Sequence, residues 1–323
     1  MQYRTIGILG GSGFVGQHLS ALLAQKGYQV RLLCRDPLRH PSLNLIEHIS
    51  VIKGDPFDEQ ALEVFFEGLD VAINLVGILN EKRDNGQDFD RIHVDLAHRV
   101  VLACRKKDVK RLLHMSALNA SKDAHSYYLR SKGEAEDWVH DADGLLVTSF
   151  RPSVIFGPSD SFFNRFAGLL KITPLVFPLA CAKSRFAPVY IDDVCKAFCT
   201  ALENPHTIGQ RYSLCGPQIF TLQELVQYTA SQLQCRTRII ALPNILSRLQ
   251  ARVLSLLPGK PFTLDNYRSL QTDSVCSENG LIKLGIKPVS IHAIVPAYLS
   301  QDNRKGRLDQ YRKQRSFSYR KRY

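Results

Sequence analysis

No apolar run in this chain of 323 residues reaches the roughly 18 residues that a membrane-crossing helix needs, so no span is expected. No C-x-x-C pair occurs among its eight cysteines, which stand scattered at 34, 104, 181, 195, 199, 215, 235 and 276. That spacing argues against a structural zinc and against a disulfide framework, and it suits a reducing cytoplasm. Cys195 and Cys199, one helical turn apart, read as core residues. No leader segment is expected, because the first apolar strand begins almost at Met1. Repeats and low-complexity segments are missing too, apart from one basic tail. After Gln301, nine Lys and Arg stand against Asp302 and Asp309, so this stretch carries +7 of the net +12. The remainder is mildly basic, and net charge says little about what the fold does. The tail 301–323 has few apolar residues and no helical period, which favours disorder. Solubility, RNA binding and anionic-lipid binding are the uses open to it.

What is present begins at Ile6. An apolar run (Ile6, Ile8, Leu9) ends in Gly10, Gly13 and Gly16, and a segment with a helical apolar face follows from Phe14 to Lys26. Strand, glycine turn and helix in this order suit a dinucleotide pyrophosphate. Gly10 permits the tight turn, Gly13 lets backbone approach phosphate, and Gly16 lets helix and strand pack closely. The helix N-terminus supplies N–H groups and partial positive charge. An ordinary strand–helix turn would need fewer of these glycines.

The second strand, near Tyr28–Cys34, bears on cofactor choice. An acidic residue at its end bonds a ribose 2′-OH, whereas arginine accommodates a 2′-phosphate. Here the acidic position falls on Cys34 and Arg35 follows, so NADP(H) is favoured over NAD(H). A third strand at 49–53 ends in Gly54-Asp55, and Asp58 is expected to cap a helix through Phe66. The apolar strand 71–76 ends at Gly77. A long helix over 88–107 carries His93, read as a packed histidine. The strand 111–115 leads to Ser116, and a helix from Ser126 to Val139 follows. Strand 145–150 completes a doubly wound parallel α/β sheet of order 3-2-1-4-5-6, with room for an added strand. This dinucleotide-binding domain spans 1–150. A smaller C-terminal α/β substrate subdomain follows over 151–300, with 186–203 returning to the first domain. Within it, 185–191 reads as one strand, and Thr221 to Glu224 has capping-box spacing. The stretch 245–257 reads as a helix with Arg248 and Arg252 beside leucines. It suits either a membrane surface or packing onto its own domain.

Tyr128 and Lys132 lie four apart on a helix and share a face, with Ser116 at the preceding strand end. The expected chemistry is proton and hydride exchange at a carbinol or carbonyl carbon. A neighbouring ammonium would lower the phenol from about 10 toward a usable base. Ser116 would polarise the substrate oxygen.

Gly10-Gly-Ser-Gly-Phe-Val-Gly16, Gly54-Asp55, Tyr128-x-x-x-Lys132, Arg151-Pro-Ser-Val-Ile-Phe-Gly-Pro158 and Pro188-Val-Tyr-Ile-Asp-Asp193 together resemble the extended and atypical short-chain dehydrogenase/reductases. Asn74-Leu-Val-Gly77, the stretch Tyr128–Glu136 and Leu257–Phe262 are similar to one branch of them. That branch holds the NADPH-binding accessory subunit of respiratory complex I, its bacterial relatives and proteins tied to ubiquinone biosynthesis. The resemblance implies a Rossmann fold with the pyrophosphate on Gly10, Ser12, Gly13, Phe14, Val15 and Gly16. It puts the 2′-phosphate on Arg35 and the adenine near Asp55. The nicotinamide ribose falls to Val76, Gly77 and Lys132, and the nicotinamide to Pro152, Ser153 and Val154. Only eleven residues separate Ser116 from Tyr128, shorter than in sugar-nucleotide enzymes of the class, which argues against a nucleotide-sugar substrate.

Three functions follow. The first is an NADP(H)-dependent oxidoreductase on a small or isoprenoid- or quinone-related carbonyl or alcohol, with Tyr128, Lys132 and Ser116 catalytic and no metal. The second is an NADPH-holding accessory or assembly protein of a respiratory or ubiquinone-making complex, cytoplasmic and peripheral to the inner face of a membrane. The third is an NADP-sensing regulator that binds nucleic acid through its tail.

Overall fold

The computed structural model describes residues 3–173, 175–257 and 259–299; the basic tail lies outside the described residues. Along the first half of the chain, strand and helix alternate. The elements are β1 (Thr5–Leu9), α1 (Phe14–Gln25), β2 (Gln29–Cys34), β3 (Ile49–Lys53), α2 (Glu59–Phe66) and β4 (Val71–Asn74). A compound helix follows, built from α3 (Gln87–Phe89), a π-helical turn over Asp90–Asp95 and α4 (Leu96–Lys106). Then come β5 (Arg111–Met115), α5 (Tyr127–His140) and β6 (Leu146–Pro152).

These six strands are parallel, with Ile6 opposite both Val30 and Val71, and Leu112 opposite Val147. A seventh strand, β11 (Arg211–Leu214), joins outside β6, giving the order β11-β6-β5-β4-β1-β2-β3. The expected 3-2-1-4-5-6 order is therefore present, and the added strand exists. Apolar residues dominate β4 and β5 because both faces of the sheet are covered. Ile6, Ile8, Leu19 and Phe198 pack on one face, and Leu9, Phe65, Val100 and Leu112 on the other. Each fully buried side chain of this size contributes about 1.5–3 kcal/mol. The strand order reverses between β1 and β4, so a crevice opens at their carboxyl ends. Asp58 caps α2, accepting from the N–H groups of Gln60 and Ala61.

The second half is built from shorter pieces: β7 (Ile155–Phe156), α6 (Phe163–Ile172), β8 (Val176–Leu179), β9 (Arg185–Phe186), β10 (Val189–Tyr190) and α7 (Ile191–Glu203). After β11 (Arg211–Leu214) come β12 (Phe220–Thr221), α8 (Leu222–Gln232), β13 (Arg238–Ala241) and α9 (Asn244–Leu254). The last described elements are α10 (Leu264–Ser269), α11 (Gly280–Lys283) and α12 (Ile291–Leu299). The expected strand over 185–191 is two strands. β9 pairs antiparallel with β12, and β10 pairs parallel with β7. The break falls at Ala187-Pro188, where proline supplies no N–H to a ladder. Phe163, Leu170, Leu225, Val226 and Val295 form a separate core for this half. The capping box of α8 is present at Thr221 and Glu224.

The cysteine reading is corrected. Cys215, just past β11, is bonded to Cys276 across 61 residues. Spacing along the chain did not reveal this pairing, because only the fold brings the end of β11 beside 274–276. The other six cysteines are free. Among the described residues no group of His, Cys, Asp and Glu has the arrangement of a metal site, and no helix is long and apolar enough to cross a membrane.

Candidate cofactor and catalytic site

Gly10 ends β1 with φ +78°, left-handed backbone that favours glycine. The turn is pinned by the Gly13 N–H donating to Gly10 O at 3.0 Å. Gln17 Nε2 donates to Ser12 O at 2.7 Å. A Cβ on Gly16 would press into Gly10 O and lie 2.5 Å from Gly11 Cα, so α1 can approach the turn only with glycine there. α1 starts at Phe14 with no capping side chain and no acidic residue in its first turn. Its first N–H groups are thus left for an anionic ligand. Phe14 stacks edge-on with His18 and Val15 packs on the core, so both present backbone rather than side chain.

Arg35 follows β2 as an exposed residue whose guanidinium has no partner among the described residues. Asp36, next in the chain, is turned onto Arg39 at 2.8 Å. Cys34 is buried. The strand end therefore offers a free cation and no free acid. Asp55 is exposed after β3, with Oδ1 accepting the Phe57 N–H at 3.0 Å.

At the carboxyl end of β4, Asn74 Oδ1 accepts the Val76 N–H at 3.1 Å. Lys132 is buried, and its Nζ donates to Met115 O at 3.0 Å and Val76 O at 3.4 Å. A Cβ on Gly77 would stand 3.0 Å from that Nζ and 3.4 Å from His93 Nε2. Val76, Gly77 and Lys132 are thus brought together. Pro152 ends β6 and its carbonyl accepts the Leu118 N–H at 3.0 Å. Val154 O accepts from Val189 N at 2.9 Å, while the Ser153 hydroxyl donates to Ser274 O at 2.8 Å. The Ser153 hydroxyl is thus committed to the 274 segment.

Tyr128 stands in the first turn of α5, edge-on to Phe89 at 5.8 Å and to His93 at 5.7 Å. Its hydroxyl bonds to no described residue. Burial pushes the phenol up to about 12, and burial pulls the Lys132 ammonium down to about 8. The expected lowering of the phenol is therefore reversed. Lys132 is drawn onto the carbonyls at the ends of β4 and β5, and loss of solvent dominates at Tyr128. Ser116 departs further. Its hydroxyl donates to Glu136 Oε2 at 2.8 Å, inside a lock in which Arg151 Nε grips the same buried carboxylate at 2.8 and 3.0 Å. Burial raises Glu136 above the usual carboxylate range, with Arg151 opposing it. Ser116 braces β5 against α5, and its hydroxyl is committed there.

His93, read from the sequence as a packed histidine, is buried and also positions the site, whereas Asp265 left no mark in the sequence. His93 sits in the π-helical turn, with Nε2 accepting the Ile78 N–H at 3.2 Å and Nδ1 against Ser131 Oγ at 2.8 Å. Burial, reinforced by Lys132, holds the ring well below its ordinary value, so it is neutral. It ties the loop after β4 to α5. Asp265, from the C-terminal half, is buried and accepts the N–H groups of Tyr127 at 2.6 Å and Tyr128 at 3.0 Å. It completes the N-terminal turn of the helix that carries Tyr128.

Residues 6–215 match the NAD dependent epimerase/dehydratase family, which covers the glycine turn, Tyr128, Lys132 and Pro152. The chain belongs to that family. Its members bind NAD(P), and the fold here is an NAD(P)-binding one. The chain is 27% identical to rat (Rattus norvegicus) mitochondrial NADH dehydrogenase [ubiquinone] 1 alpha subcomplex subunit 9, over 88% of this chain and 76% of that protein. It is 30% identical to the ceramide reductase of Caulobacter vibrioides, over 74% of each. Among solved structures, DesIV of Streptomyces venezuelae, a dTDP-glucose 4,6-dehydratase, superposes with a TM-score of 0.72 at 19% identity, covering 94% of this chain and 98% of DesIV. The NADPH-dependent quinone oxidoreductase QOR2 of Escherichia coli gives 0.71 at 18%, covering 89% and 97%. Both structural likenesses concern the fold.

Proposed function

We propose that this chain is an NADP(H)-dependent oxidoreductase acting on a small or isoprenoid- or quinone-related carbonyl, in the direction of reduction. The observation that carries the reading is the Tyr128 hydroxyl, free of any described partner and held protonated on the helix that also carries Lys132 one turn on. The uncapped turn Gly10–Gly16 fits a pyrophosphate, and the unpaired Arg35 fits a 2′-phosphate. A reduced nicotinamide held there would supply hydride to the carbonyl carbon. Tyr128 gives its proton to the carbonyl oxygen, the product is the alcohol, and the phenolate recovers a proton from solvent. Lys132 would hold the ribose side of the cofactor and stabilise that phenolate as it forms. Val76, Gly77 and the Pro152–Val154 loop shape the wall and exclude water.

The test is steady-state oxidation of NADPH by the purified chain with a panel of quinones and long-chain ketones. Activity with one of these, reduced by about 10²–10⁴-fold in Tyr128→Phe, is the expected result. Undiminished turnover in that variant overturns the mechanism.

A second reading is favoured by one observation: the Ser116 hydroxyl, the group suited to polarise a substrate oxygen, is held by Glu136 instead. Several relatives are named as subunits of a respiratory complex. On this reading the chain holds NADPH as an accessory protein, peripheral to a membrane complex. Native mass spectrometry that finds NADP(H) retained through purification, with no turnover on any carbonyl, would favour it. An empty, rapidly exchanging site would remove it.

A further inference from the structure

α9 turns its apolar side away from the protein. Ser247 and Ala251, one turn apart, are its buried residues, and Ser247 is anchored through its hydroxyl to Leu242 O and the Cys181 N–H. At 100° per residue, Ile245, Leu249 and Val253 then fall on the opposite side. They are 84%, 53% and 54% exposed. Arg248 and Arg252 flank that stripe, exposed and without an ion pair among the described residues. An ordinary surface helix shows the reverse, apolar inward and charged outward.

The surface continues beyond the helix. Gln250 Nε2 donates to Pro178 O at 2.8 Å, which docks α9 beside the β8–β13 ribbon. In the parallel register of that ribbon Val176 is opposite Arg238 and Pro178 opposite Ile240, and all four are exposed. The acid content agrees. No Asp or Glu occurs between Asp160 and Asp192, nor between Glu224 and Asp265, the two stretches that build this face.

We infer that the outer face of α9 and the β8–β13 ribbon is a docking surface for an anionic lipid bilayer, with α9 lying in the plane of the headgroups. The apolar stripe enters the headgroup–acyl boundary, and Arg248, Arg252 and Arg238 meet lipid phosphates. The face joins flexible aliphatic side chains to three arginines and has no acidic residue in the stretches that build it, which matches the charge and the fluid apolar boundary of an anionic bilayer. The inference gives a surface and a lipid class to the peripheral association in the second reading above. It does not depend on whether the cofactor site turns over.

Co-sedimentation of the full chain with phosphatidylcholine vesicles, with and without phosphatidylglycerol, tests it. The vesicle-bound fraction is expected to be high with the anionic lipid and low without it. Leu249→Glu with Val253→Glu, and separately Arg248→Glu with Arg252→Glu, each lower the partition coefficient roughly ten-fold or more. NADPH binding is unchanged in both variants, which shows that they fold. A full chain with the nine Lys and Arg after Gln301 changed to glutamine keeps its sensitivity to Leu249→Glu. The inference is overturned if the tail changes alone abolish binding while the α9 variants bind as before. It is also overturned if ultracentrifugation finds a dimer that Leu249→Glu dissociates, with no vesicle binding at all. Either failure leaves the NADPH-oxidation assay, and so the reading of the site, untouched.

Discussion

Among the described residues nothing covers the glycine turn at the carboxyl edge of the large sheet or the outer face of α9, yet the two are made of opposite materials. The edge offers backbone N–H groups at Phe14 and Val15, glycines where a Cβ would collide, and one guanidinium at Arg35. The α9 face offers aliphatic side chains with two arginines beside them and nearly no backbone. Fixed donors at fixed spacing select a ligand of one shape, such as a dinucleotide. Flexible aliphatic chains beside cations suit a fluid anionic surface and select little within it. One molecule thus carries a site of high shape specificity and a surface of low shape specificity, and substitutions should separate them.

The bond from Cys215 to Cys276, 61 residues apart, closes a loop of chain that contains α9. Removing it by Cys215→Ser is expected to cost about 4 kcal/mol on the chain-entropy account. Denaturant unfolding checks that figure, and vesicle binding through α9 should survive where the fold does. Gly16→Val comes next. α1 must move away from Gly10 O, so NADPH affinity falls by about a hundred-fold, or about 2.7 kcal/mol. Calorimetric titration reads the loss, while vesicle binding holds. Arg35→Gln is smaller: affinity for NADPH drops about ten-fold and that for NADH stays, because a single charge–phosphate contact is removed.

Acid should weaken the sheet edge selectively. Burial holds His93 well below its ordinary value and His114 at about 3, so both are neutral in the native state. In the unfolded chain they take up protons below about pH 6.5. The unfolded state then binds more protons, and native stability falls by about 1.4 kcal/mol per pH unit for each ring as pH drops. Urea midpoints between neutrality and mild acid should show this, with a smaller slope in His114→Phe. α9 contains no histidine.

Legibility followed the range of the forces involved. The glycine turn was readable because its constraint is local: φ +78° at Gly10 and the contact at Gly16 lie within seven residues. The sheet order followed from alternation and right-handed crossovers. Ser116 looked available at a strand end, but its hydroxyl is claimed by Glu136, which the sequence sets on the next helix with nothing to mark the bond. Asp265 reaches Tyr128 across 137 residues, beyond any periodicity. The amphipathic period of 245–257 was visible, yet which side faces the domain was decided by two small residues, Ser247 and Ala251. Had the wide apolar arc been inside, α9 would be an ordinary core helix.

The central claim is that Tyr128 donates a proton beside a bound nicotinamide. Single-turnover mixing of the NADPH-loaded chain with an accepted quinone or ketone, followed by nicotinamide absorbance, tests it most directly. Rapid decay in the wild type is expected, slowed about 10²–10⁴-fold in Tyr128→Phe with cofactor affinity unchanged. Decay at the wild-type rate in Tyr128→Phe would contradict the account.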